Sequence, residues 1–242
     1  MKAVILAGGR GTRLKPYTTV FPKPLVPIGE YPVVEILIRQ LSAQGINDIT
    51  LTVGYLAELL KAYFLQRPSL TAKVQIAYVS EETPTGTAGS LALVPGLQET
   101  FLVMNGDVLT TLSFQKLIAY HHEQKAALTI AVHKKHVDID LGVLVADQDG
   151  LITDYREKPK LDYLVSMGIY VYEPHVLRYI KAGVYLDFPD LVLKLIGAGE
   201  RVVGYHSDDI WLDIGRPEDY QKAVDEFENH QAEFCANFDP AL

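Results

Sequence analysis

The sequence has one cysteine, Cys235, in 242 residues. A lone thiol excludes a disulfide framework and a thiolate zinc site. Long apolar runs are also missing; the stretch at 101–104 is far short of the about 20 residues that a membrane helix needs. The N-terminus has neither the apolar length nor the cleavage site of a signal peptide, so we expect a soluble, cytoplasmic protein. Internal repeats, low-complexity tracts and Gly/Ser linkers are absent. The seven histidines form no helical metal-ligand pair, and no G-x-S-x-G elbow occurs. What is present is ordinary for a globular chain: 48% hydrophobic and 21% charged residues, enough to bury a core without staples.

Charge of one sign is missing where it matters most. Residues 1–23 carry five bases (Lys2, Arg10, Arg13, Lys15, Lys23) and no acid. Residues 207–242 hold ten acids against two bases, Arg216 and Lys222. A net charge of −8 argues against a nucleic-acid-coating surface. A basic segment in an acidic protein suits a small polyanion, because a local positive field focuses phosphate while the whole stays soluble. Chance clustering is the bland reading of charge alone.

Apolar runs and turn residues predict strands alternating with helices. Strands are expected at 2–7, 48–53, 74–79, 101–104 and 127–132. Helices are expected at 32–44, 57–65, 89–94 and 114–122. Short strands at 142–145, 152–155 and 165–172 follow, then helices at 175–180 and 188–196, a strand at 201–205 and a helix at 217–228. The fold class is α/β, a mostly parallel, Rossmann-like mixed sheet flanked by helices, with a small antiparallel lobe. We expect one domain over 1–242: a half at 1–133, a second half at 134–230 and a tail at 231–242.

Three clusters carry chemistry. Ala7-Gly8-Gly9-Arg10-Gly11-Thr12-Arg13 follows the first strand and continues to Pro22-Lys23-Pro24. Glycines there expose backbone N–H groups to phosphate. The loop fails the Walker A pattern, and Leu14 stands where the dinucleotide fingerprint needs its third glycine. Two prolines fix the backbone around Lys23. Asn105-Gly106-Asp107 ends an apolar strand, where a carboxylate can hold Mg²⁺ against a nucleotide phosphate; a plain Asn-Gly turn is the alternative. The third cluster is Glu157-Lys158-Pro159 together with Asp213-Ile214-Gly215. Glu157 and Lys158 are read as extended, pointing to opposite sides, and Asp213 as a buried carboxylate in need of a partner.

These segments, with Thr85-Gly86-Thr87-Ala88-Gly89, resemble in order the signature of the sugar-1-phosphate nucleotidyltransferases over roughly residues 1–225, closest in look to the mannose- and heptose-1-phosphate guanylyltransferases. The resemblance implies the reaction NTP + sugar 1-phosphate ⇌ NDP-sugar + pyrophosphate, with Mg²⁺ as cofactor. By position, Ala7, Gly8, Gly9, Gly11, Thr12, Glu81 and Gly86 would hold the nucleotide. Arg13 would hold the departing pyrophosphate, and Lys23 the phosphates at the reacting centre. Asp107 and Asp213 would bind Mg²⁺. Gly142, Glu157, Lys158 and Ser166 would form the sugar-phosphate side, and residues 134–230 would be its main source. Arg13, Lys23, Asp107 and Lys158 are the expected catalytic set.

GTP is the expected nucleotide. The thymidylyltransferases that resemble this chain usually have a glutamine where Glu81 or Glu82 stands, and a carboxylate suits the paired N1/N2 donors of guanine better than the single N3–H of thymine. A mannose- or heptose-like 1-phosphate is the expected acceptor, since the short form without a C-terminal repeat domain also resembles the heptose guanylyltransferases. A glucose-1-phosphate thymidylyl- or uridylyltransferase and a non-catalytic nucleotide-sugar sensor are the alternatives. Two departures touch the sugar side: Ser166-Met167-Gly168 where asparagine is frequent, and Arg216 after Gly215 where threonine is usual. No nucleic-acid or membrane partner is expected; homo-oligomerisation is open.

Overall fold

The computed structural model describes residues 1–81, 83–236 and 238. Glu82 and part of the expected tail, residues 237 and 239–242, lie outside the described residues. The chain order is β1 (Lys2–Ala7), β2 (Pro27–Ile28), β3 (Tyr31–Pro32), α1 (Val33–Ala43), β4 (Asp48–Val53), α2 (Ala57–Leu65), α3 (Pro68–Lys73) and β5 (Gln75–Ser80). Then come α4 (Gly86–Gly89), β6 (Phe101–Asn105), β7 (Val108–Thr110), α5 (Phe114–Gln124), β8 (Leu128–Asp138), β9 (Val143–Ala146), β10 (Ile152–Arg156) and β11 (Lys160–Tyr172). The chain closes with α6 (Phe188–Gly197), β12 (Val202–His206), β13 (Trp211–Asp213), α7 (Pro217–Asn229) and α8 (Gln231–Phe234).

Seven strands form the central sheet in the order β12-β8-β11-β6-β1-β4-β5. Strands β5, β4, β1 and β6 run parallel, as crossover helices require, and β11 alone runs antiparallel to both its neighbours. Each face of β1 feeds a different core. Ala3 and Ile5 pack with α1, α2 and β4 residues such as Leu37, Phe64 and Leu51, while Val4 packs with Leu91, Val103, Tyr172 and Leu191. A third cluster joins Leu14, Val26 and Ile28 to Ile214, Phe227 and Phe234. That cluster ties the glycine loop and the segment after β13 to one apolar anchor.

The expected mixed α/β architecture is the observed one, with differences of local cause. Strands β8 and β11 run on past the sheet as a two-stranded ribbon, pairing Asp138 with Lys160. This extension was not read because its residues are exposed on both faces and lack alternation. The segment expected as a helix at 175–180 is a 3₁₀ stretch, Pro174–Tyr179. The three-residue strands β7 and β13 leave no periodic signal and were missed.

Candidate active site

The C-terminal ends of β1, β4 and β6 open into a cleft of about 680 Å³. Gly8, Gly9, Arg10, Gly11, Thr12 and Arg13 line it, as do Lys23, Glu81, Gly86 and Asp107. Ligands collect at this edge of parallel sheets because the strand ends and loop N–H groups face it. The loop folds back sharply at Gly11, whose φ is +59°; a Cβ there would lie 2.9 Å from Thr18 Cγ2. Thr18 Oγ1 donates to Gly11 O at 2.6 Å and closes the turn. Lys23 begins a 3₁₀ turn anchored by Pro22 and Pro24.

Lys23 Nζ forms an ion pair with Asp107 Oδ2, both side chains being largely covered. Asp107 Oδ1 is buried without a hydrogen-bond partner among the described residues. An orphaned carboxylate oxygen beside phosphate-sized space fits a hard cation, which takes oxygen ligands and completes its octahedron with water and phosphate. Among the described residues no three His, Cys, Asp or Glu side chains group as a metal site. A protein contribution of one or two carboxylates is the pattern expected when the substrate brings the remaining oxygens.

Asp213 is brought near Asp107 through tertiary pairing, although it is not among the residues that line the cleft. Strand β13 runs antiparallel to β7 with Asp213 opposite Val108, and Ile214 N donates to Asp107 O at 3.0 Å. The Asp213 carboxyl is pushed above the ordinary carboxylate range, first by desolvation, then by the charge of Asp107 and, less, of Asp219; Lys23 and Arg13 oppose the shift. The residue is nonetheless exposed, so the buried carboxylate read from the sequence is corrected. A three-residue strand places the group among neighbours that crowd it without covering it. The charges of Asp107 and Asp213 are both felt by the buried Tyr170 hydroxyl. Two carboxylates, a lysine and an arginine thus share one field.

Glu81 Oε2 accepts from Thr85 N at 2.9 Å and from Thr85 Oγ1 at 2.7 Å. Oε1 lies beside Gly8, where a Cβ would come to 3.1 Å of it. The two-oxygen acceptance expected of Glu81 is therefore reduced to one free oxygen.

Ala7, expected on the nucleotide side, is buried at the end of β1 and does not line the cleft. The sugar-side residues are placed differently. Glu157 and Lys158 are exposed in a bend after β10, with Lys158 at φ 43°, so the extended reading is corrected. The pair lies past the last laddered residue, Arg156, and nothing holds it extended. Tyr155 donates to Glu157 Oε2 at 2.5 Å, and its ring fills the space beside Gly142. Ser166 Oγ donates to Tyr170 Oη at 3.2 Å and accepts from Gly168 N at 3.2 Å. None of Gly142, Glu157, Lys158 and Ser166 lines the cleft.

Sequence reasoning missed several lining residues: Thr52, Tyr55, Ser90, Tyr185 and Asp187 among them. Tyr185 and Asp187 come from a segment about a hundred residues downstream of the Thr85–Gly89 loop. That segment docks through Leu186 N to Thr85 O at 2.8 Å and Thr87 N to Asp187 Oδ1 at 3.1 Å. Gly86, at φ +82°, permits the contact, since a Cβ there would lie 2.5 Å from Leu186 O. No local motif signals such docking; only the glycines of the loop hint at close backbone approach.

A family model described as nucleotidyl transferase matches residues 2–230. The chain is 36% identical to a UTP–glucose-1-phosphate uridylyltransferase of Synechocystis sp., over 93% of this chain and 62% of that protein. It is 32% identical to a mannose-1-phosphate guanylyltransferase of Mycobacterium tuberculosis, over 90% of this chain and 62% of that protein. The crystal structure of HddC from Yersinia pseudotuberculosis matches with a TM-score of 0.71 at 27% identity, over 93% of this chain and 99% of that chain. The chain spans about 62% of the length of the curated relatives it matches. A glycine loop on β1, a lysine–aspartate pair at the end of β6 and a matching family model over most of the chain lead to one assignment: the chain belongs to the nucleotidyl transferase family.

Proposed function

We propose that this protein is a sugar-1-phosphate nucleotidyltransferase, transferring the nucleoside monophosphate unit of an NTP to a sugar 1-phosphate with release of pyrophosphate. The observation that carries this reading is the Lys23–Asp107 pair with its orphaned Oδ1, set in the same cleft as Arg13 and the glycine loop. A phosphate-oxygen nucleophile needs no activated serine or cysteine; alignment and neutralised charge suffice.

The triphosphate lies along Gly8, Gly9, Gly11 and Thr12, whose open backbone N–H groups donate to phosphate oxygens. Arg13 holds the β- and γ-phosphates that leave as pyrophosphate. Lys23 moves its ammonium from Asp107 to the phosphate at the reacting phosphorus, where charge develops. Asp107 and Asp213 would hold Mg²⁺, which when bound supplies charge neutralisation at the phosphates. Lys158 and Glu157 approach the sugar phosphate and sugar hydroxyls from the β9–β10 lobe, and Gly142 and Ser166 complete that side. Because Lys158 is exposed in a bend, this side assembles on the substrate rather than before it.

GTP and a mannose- or heptose-like 1-phosphate are the substrates we propose. Glu81 Oε1 retains two lone pairs, enough to take both N1–H and N2–H of guanine. Uracil or thymine would present one N–H flanked by carbonyls that repel the carboxylate. A second structure of HddC is described as complexed with GMP-PN, at 26% identity to this chain. The uridylyltransferase of Synechocystis sp. favours a second reading, UTP with glucose 1-phosphate. Turnover measured with each of the four NTPs separates the two: GTP is expected to be used best, and equal or better use of UTP or dTTP rejects the guanylyl assignment. Retention of Arg13, Lys23, Asp107 and Asp213 argues for catalysis over a sensor role.

A further inference from the structure

Arg10, Arg13 and Lys23 supply the cations of the cleft. Glu81, Tyr185 and Asp187 form its acidic end, tied together through hydrogen bonds to Thr85 and Thr87. Phosphates are drawn to the cations and repelled by the two carboxylates, so the nucleoside part of a bound NTP faces the acidic end.

Most polar groups at that end are already engaged. Glu81 Oε2 is taken by Thr85. Asp187 Oδ1 accepts from Thr87 N at 3.1 Å and Oδ2 from Tyr185 Oη at 2.6 Å. Thr87 Oγ1 accepts from Phe188 N at 2.8 Å. Ser90 differs. It starts the 3₁₀ turn Ser90–Leu93 directly after α4, is 1% exposed, and lines the cleft. Its Oγ has no hydrogen-bond partner among the described residues. Native structures rarely leave a buried hydroxyl unpaired without a reason, and a ligand is one such reason.

We propose that Ser90 is a nucleotide-binding residue whose hydroxyl bonds the nucleoside part of the NTP. The proposal rests on the nucleotidyltransferase reading. A hydroxyl both donates and accepts, so it suits a base edge or a ribose hydroxyl and complements the acceptor-only Glu81 Oε1. It is buried at the lining of the cleft, already shut off from bulk water, where a hydrogen bond counts most.

The test compares wild-type protein with Ser90→Ala, using GTP, guanosine and inorganic tripolyphosphate as probes. Loss of one neutral hydrogen bond should raise KM for GTP about 5- to 10-fold, with kcat and KM for the sugar phosphate unchanged. Inhibition by guanosine should weaken, and inhibition by tripolyphosphate, which addresses only the cation end, should not. The unliganded variant should melt no lower than wild type, because an unpaired hydroxyl has been removed. Unchanged KM for GTP with unchanged guanosine inhibition overturns the proposal; so does weakening of guanosine and tripolyphosphate together, which marks a distorted cleft. If wild type releases no pyrophosphate from any NTP, the functional reading fails by itself. Ser90 is then judged by whether the variant shrinks the melting shift that GTP produces.

Discussion

Replacing Asp213 by asparagine should make the protein more stable and less active. Desolvation by neighbouring atoms raises the Asp213 pKa most, the like charges of Asp107 and, less, Asp219 raise it further, and Lys23 and Arg13 oppose the shift. Asp213 Oδ2 and Asp219 Oδ2 both sit over Gly215, at 3.5 and 3.4 Å from where its Cβ would be. A carboxyl whose folded-state pKa is raised holds its proton longer when folded than when unfolded. Its contribution to stability is full below the unfolded value and is lost as pH rises through the folded one. At neutral pH wild type therefore carries the repulsion and Asp213→Asn does not. The group is solvent-exposed, which screens the effect, so a gain of about 0.5–2 kcal/mol is expected, as is common when a charge kept for function is removed. For a chain of this size each kcal/mol shifts Tm by about 2–4 °C. Scanning melting measured from acid to neutral pH should show the variant and wild type close together in acid and diverging as pH rises. Mg²⁺ should raise the Tm of wild type and leave the variant unmoved, and turnover should fall about 100- to 1000-fold. A variant that melts lower than wild type at neutral pH, or that keeps the Mg²⁺ shift, refutes the reasoning.

Other outcomes follow from the same geometry. Lys23→Ala should lose about 100- to 1000-fold in kcat with little change in fold, measured by pyrophosphate release and circular dichroism. Its Tm should respond more steeply to Mg²⁺ than that of wild type, since Asp107 Oδ2 has lost its cation. Gly86→Ala combines a positive φ with a collision at Leu186 O and should cost more than about 1 kcal/mol in urea unfolding, raising KM for NTP as the docked segment lifts. Glu35 is fully buried and takes two hydrogen bonds from Arg39 at 2.8 and 2.6 Å, plus one from Tyr63. Glu35→Ala should destabilise by about 3–5 kcal/mol, because the buried carboxylate that accepts from both Arg39 and Tyr63 is lost.

The first half of the site was legible because local chemistry specifies it. An apolar strand stopped by glycines, a lysine between prolines, and a carboxylate after an apolar strand are all short-range patterns. Asp213 was legible as a residue and not as an environment. Its approach to Asp107 depends on pairing of β13 with β7 across about a hundred residues of chain, and no periodicity reports that. Ser90, Tyr185 and Asp187 were invisible for the same reason: an ordinary serine in a helical stretch and a polar loop acquire meaning only where they dock. The long ribbon of β8 and β11 was missed because strand patterns rely on one buried face, and its residues have none. Glu157 and Lys158 were read as extended from their neighbours, yet the ladder ends at Arg156.

On the proposed function, an NTP in the cleft and a sugar 1-phosphate held from the β9–β10 lobe react together. Pyrophosphate and NDP-sugar should be measured side by side, with Mg²⁺, over a matrix of four NTPs and several hexose and heptose 1-phosphates. Equimolar release of both products, dependent on both substrates and greatest with GTP, is the result this account predicts. Binding of nucleotide without either product in every cell of the matrix would contradict it.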